Sequence, residues 1–65
     1  MDDGIGAAAG KIWHSLNKNG SMTVAKLTQG TGLTRDLTQR AIGWLAREHK
    51  LKFQTVRGSQ KISLR

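Results

Sequence analysis

The chain has 65 residues, 37% of them hydrophobic, no cysteine and a formal net charge of +7. A single domain of this size buries only about 60% of the surface that it exposes when unfolded, which leaves a thin core and no room for an enclosed active site. Without cysteine, neither a disulfide framework nor a thiolate metal site can form. Hydrophobic packing is then the only staple, and the composition suits a reducing cytoplasm.

The start Met1-Asp2-Asp3-Gly4 is acidic and unlike a signal peptide. The longest weakly polar run, 4–10, is far too short for a membrane span. Neither a membrane partner, a metal nor a cofactor is expected. The charge is unevenly placed: Lys11 and Lys18 cancel Asp2 and Asp3, whereas from Lys26 onward nine cations face only Asp36 and Glu48. A basic half of this kind marks either a polyanionic partner or a solvated surface.

The spacing predicts a first helix over 4–18, with Asp3 as its N-cap and Asn19-Gly20 as its stop. Ile5, Ala8, Ala9, Ile12 and Leu16 form its inward stripe, and Trp13 sits on the shoulder beside Gly6 and Gly10. Two glycines at four-residue spacing admit a neighbouring helix closely, either within the domain or from a second subunit. His14 points away from the stripe. Ser21 to Thr23 is long enough only for a short edge added to a sheet formed later.

Thr23 reads as the N-cap of a second helix over 24–29, ended by Gly30-Thr31-Gly32, with Val24 and Leu27 inward. Leu33 plugs the turn, and Thr34 caps a third helix over 34–50. At about 100° per residue, Leu37, Ala41, Ile42, Trp44 and Leu45 share one apolar arc. Arg35, Asp36, Gln39, Arg40, Gly43 and Arg47 fill the opposite one. Asp36 complements the positive helix end and stands at i, i+4 to Arg40. Glu48 falls inside the apolar arc near the helix end, where it pairs across the domain or reaches solvent.

Two strands follow, 51–57 and 60–65, around a Gly58-Ser59 turn. This register sets Arg57 against Gln60, Thr55 against Ile62 and Phe53 against Leu64, with the apolar side chains on one face. Lys52, Gln54, Lys61, Ser63 and Arg65 take the other face, and Val56 interrupts it as a bulge or a wing tip.

Helix, short strand, helix, helix and hairpin is the order of a winged helix-turn-helix domain: α+β, mainly α, one domain over 1–65. At closer range the chain resembles a family of short prokaryotic winged helix-turn-helix proteins of unestablished function. The resemblance is carried by I-G-A-A-A-G-K-I-W at 5–13, L-N-K-N-G at 16–20 and above all A-I-G-W-L-A-R-E at 41–48. It covers nearly the whole chain and thins along the hairpin. It implies the fold, a DNA-binding type of architecture and a homodimer, and offers no catalytic residue or ligand.

In winged helix domains the third helix commonly enters the major groove and the hairpin touches the backbone or the minor groove. On that expectation Arg35 and Gln39 reach base edges, since arginine pairs bidentately with guanine and glutamine with adenine. Thr34 and Thr38 hold phosphates near the positive helix end. Arg40 and Arg47 clamp the backbone, assisted by Lys26 from the second helix and by Lys52, Arg57 and Lys61 from the wing. Each of these cations also has the plain reading of a solvated surface charge.

The expected function is double-stranded DNA binding, as a small transcriptional regulator or a nucleoid-associated protein. The alternative is a protein-interaction or homodimerisation module without DNA binding, using Gly6, Gly10, Trp13 and Trp44, with core filling as the plainer role of both tryptophans. An enzyme is not expected: the two histidines are far apart, the four carboxylates form no pair, and no glycine-rich loop follows a strand.

Overall fold

Threonine side chains set where two of the three helices begin. Thr23 Oγ1 accepts from the Lys26 N–H at 3.2 Å, and Thr34 Oγ1 accepts from the Leu37 N–H at 3.1 Å. Each satisfies a donor that the first helical turn leaves without a partner. The computed structural model describes residues 4–65. They form α1 (Ile5–Asn19), α2 (Val24–Thr31), α3 (Arg35–Arg47), β1 (Leu51–Val56) and β2 (Ser59–Leu64).

The helix ends depart from the sequence-based expectations in three places. Gly4, with φ 81°, occupies the N-cap position of α1, and Asp3 lies outside the described residues. Helix α2 continues through Gly30 and Thr31 and stops only at Gly32, whose φ of 73° breaks the helix. Helix α3 ends at Arg47, short of residue 50, because the chain turns at His49 with φ 57°. The Lys50 N–H donates to the Leu45 carbonyl and the His49 N–H to the Ala46 carbonyl, both at 3.0 Å. That pair is a Schellman ending with histidine where glycine is usual.

The inward stripe of α1 is buried at Ala8, Ala9, Ile12 and Leu16, while Ile5 is half-buried. Against it pack Leu27 of α2 and Ala41, Ile42 and Leu45 of α3, with Leu51 and Ile62 closing the core from the hairpin. Val24, Leu33 and Leu37 pack on its margin. Thr38 also lies inside, fully buried.

The strands pair antiparallel as Leu51 with Leu64, Phe53 with Ile62 and Val56 with Ser59. The loop is therefore Arg57-Gly58, shifted from the expected Gly58-Ser59. Both loop residues have positive φ, 52° and 80°, the geometry of a two-residue turn whose twist matches that of the strands. A shift of two in the pairing leaves every side chain on its expected face. Val56 stands beside the turn, at the wing tip. Met22 adds the short edge: it exchanges two hydrogen bonds with Ile62, at 2.9 and 2.8 Å. The architecture is three helices followed by a two-stranded hairpin, a winged helix fold.

Candidate nucleic-acid interface

The core takes one side of α3 and leaves the other to solvent. Arg35, Gln39, Arg40 and Arg47 are all exposed along its outward side, as is Thr34 just ahead of it. Arg35 leans toward the second helix, where it lines an open cleft of about 380 Å³ with Val24, Ala25, Thr28 and Gln29. Gln29 thus stands beside Arg35 across the helix-turn-helix. Its position was not singled out in the sequence, because a lone surface amide carries no periodic signal.

Arg40 Nε lies 3.1 Å from Asp36 Oδ2, the pair expected at i, i+4. With side chains 58% and 79% exposed, the pair is a weak one. Its consequence is electrostatic: a carboxylate occupies the middle of the outward face and engages one of the cations that a phosphate would need.

Thr38 requires a correction. Its side chain is fully buried, and its hydroxyl donates to the Thr34 carbonyl at 2.8 Å, so it can hold no phosphate. Thr34 keeps an exposed position, with its oxygen engaged as the cap of α3.

The wing contributes on its outer face. Lys52 pairs with Ser63 and Gln54 with Lys61, so both lysines lie opposite the face that carries Leu51, Phe53, Ile62 and Leu64. Lys52 is exposed, Lys61 is half-buried and Arg57 stands at the turn. Lys26 is exposed on α2. These cations reach the surface on separate elements, and no ion pair other than Asp36–Arg40 engages them among the described residues.

The tryptophans do not fill the core. Trp13 is 36% and Trp44 51% exposed, and with Gly6 and Gly10 they line one groove between α1 and α3. At Gly10 no neighbouring helix comes close: a Cβ there would meet nothing within 4 Å. Lys50, also unremarked in the sequence, lines the same groove. Glu48 is exposed just past the end of α3 and reaches solvent, one of the two outcomes expected for it.

Among the described residues no cluster of three or more histidine, aspartate or glutamate side chains can hold a metal ion. No helix among them is long and apolar enough to cross a membrane.

Comparison with known proteins places this arrangement. The chain is 39% identical over 49 residues to the uncharacterised protein MJ1608 of Methanocaldococcus jannaschii, spanning 72% of this chain and 70% of the relative. It is 37% identical to protein BT2368 of Bacteroides thetaiotaomicron, whose solution structure matches 92% of this chain and 73% of its own at a TM-score of 0.84. The Zα domain of PKZ from Carassius auratus, solved in complex with Z-DNA, matches 97% of this chain and 100% of its own at a TM-score of 0.82. With 17% sequence identity, that likeness is one of fold. Residues 1–65 match the winged helix-turn-helix domain family DUF2582 along their whole length, and the chain belongs to that family.

Proposed function

We propose that the protein binds double-stranded DNA as a small transcriptional regulator or nucleoid-associated protein of the prokaryotic cytoplasm. In this reading α3 enters the major groove and the wing lies over the backbone. The observation that carries it is the outward side of α3, where Arg35, Gln39, Arg40 and Arg47 are exposed together on a rigid, capped helix. Arg35 and Gln39 face base edges; Thr34, Arg40 and Arg47 face phosphates, with Lys26, Lys52, Arg57 and Lys61 as flanking cations. The Zα neighbour, solved with Z-DNA, lends support through the fold and makes left-handed duplex a necessary comparison in any binding assay.

The test is a salt titration of duplex affinity. A backbone-contacting protein gives log K falling linearly with log salt, at a slope of about −0.9 per phosphate neutralised. Arg35→Ala with Gln39→Ala is expected to relax sequence preference, whereas Lys61→Ala weakens all sequences alike. Absence of any duplex complex at low salt, right-handed or left-handed, refutes the reading.

The exposed Trp13 and Trp44 favour a second reading, a homodimerisation or protein-interaction module, since tryptophan is enriched at interface hot spots. Light scattering of the protein and of Trp13→Ala checks it: an unchanged monomeric mass in both removes the dimer.

A further inference from the structure

Both tryptophans of the chain line one groove of about 300 Å³, together with Gly6, Gly10, His14 and Lys50. Leaving two indoles open is costly for a chain with so thin a core. The groove floor is open at Gly10. The Trp13 ring meets the His14 ring edge-on, with centroids 5.5 Å apart and planes at 89°, a T-shaped contact that restrains the indole.

Charge identifies the occupant. Lys50 lines the groove itself, and Arg47 lines the adjoining cleft with Trp44 and Glu48. Arg40 lies one turn before Trp44 on α3, so the indole continues the cationic side of that helix. Planar aromatic faces set in a cationic rim are the combination that takes single-stranded nucleic acid, one base on an aromatic ring and its phosphates on the cations. A groove at the lower end of the roughly 300–1,000 Å³ range of ligand sites suits one planar base. A second copy fits less well, because a two-fold contact repeats the same patch. It would set this rim against an identical one, with a single carboxylate among the described residues, Glu48, on each side in partial relief.

We infer that the Trp13–Trp44 groove is a stacking site for a base of single-stranded nucleic acid, with Lys50 and Arg47 taking the flanking phosphates. The activity goes beyond duplex binding and needs neither Arg35 nor Gln39, so either can fail without the other.

The probe is a short oligothymidylate, which cannot pair with itself. Because both tryptophans line the groove, intrinsic indole fluorescence reports on its occupancy. Saturable quenching is expected at low salt. By anisotropy of the labelled oligonucleotide, Trp44→Ala should weaken binding roughly ten-fold. Trp44→Phe should retain most of it, and Lys50→Gln should reduce the salt slope by about 0.7. Arg35→Ala with Gln39→Ala should leave it unchanged while altering duplex binding. Circular dichroism confirms that the variants are folded; if Trp44→Ala is not, Trp44→Phe and Lys50→Gln carry the test. The inference is overturned by absence of quenching, or by oligothymidylate affinity insensitive to Trp44→Ala and Lys50→Gln. A DNA-free protein with doubled mass and tryptophan emission that shifts with protein concentration also overturns it, by giving the groove to a second copy.

Discussion

Thr38 has the composition of a surface residue and the position of a core one. About 100° from Leu37 on the helical wheel, it falls between Leu45 and Ile42, inside the apolar arc, and its hydroxyl is satisfied by the Thr34 carbonyl at 2.8 Å. That carbonyl also accepts from the Thr38 N–H at 2.9 Å, so Thr38→Val would orphan neither group. A net hydrogen bond is worth about 0.5–1.5 kcal/mol, so Thr38→Val should cost no more than about 1.5 kcal/mol in urea unfolding. Duplex affinity should stay at the wild-type value, and a large loss would restore Thr38 to the interface. Asp36 offers the opposite test. Its pair with Arg40 is exposed and worth about 0–1 kcal/mol, so Asp36→Asn should barely move the thermal midpoint. The same change frees Arg40 and removes a negative charge from the outward face of α3. Duplex binding at low salt should tighten, and a titration of wild type against variant checks this.

At the scale of the element, the wing is organised by its turn. Arg57 and Gly58 both adopt positive φ, and a left-handed conformation costs a non-glycine residue about 1–2 kcal/mol, least for asparagine or aspartate. Arg57→Asn should therefore raise the thermal midpoint while removing a wing cation. If Arg57 touches a phosphate, the salt slope of duplex binding should fall by about 0.9; an unchanged slope would place the wing tip away from DNA. The sequence pointed to the wrong pair of turn residues, since Gly58-Ser59 and Arg57-Gly58 both contain the glycine. Twist and closure against Met22 and the helices select the pairing in which Ile62 is buried, faces Phe53 across the hairpin and makes both backbone hydrogen bonds with Met22. The end of α3 departs from its periodicity for a similar reason. His49 takes a conformation that its residue type only weakly suggests, and the carbonyls of Leu45 and Ala46 then need the two N–H groups that the turn supplies.

For the whole molecule the decisive fact is how few side chains make the core. Ile12 and Leu27 are fully buried, one on α1 and one on α2, and the hairpin closes over them with Leu51 and Ile62. Truncation of a buried isoleucine to alanine costs about 2–5 kcal/mol, as much as a core of this size supplies, about 3–5 kcal/mol. Ile12→Ala should thus be largely unfolded at room temperature by circular dichroism. The surface obeys the opposite economy, with charge in excess: most of the cations lie on α3, the wing and the turn between them, where they keep the protein soluble whether or not DNA is present.

Periodicity and punctuation alone determined the order of elements, the caps at Thr23 and Thr34, the inward stripe of α1, the Asp36–Arg40 pair and the two faces of the hairpin. Each depends on residues within a few positions of one another, where local sterics and hydrogen bonding decide. Tertiary structure alone decided that Trp44 is outside, that the hairpin turns at Arg57-Gly58, and that Trp13, Trp44 and Lys50 share a groove. A wheel places Trp44 only at the margin of the apolar arc, and the bulk and angle of α1 against α3 choose which side of that margin is covered. Those outcomes depend on how much surface each helix can bury against its neighbours, a quantity that exists only once the helices are packed.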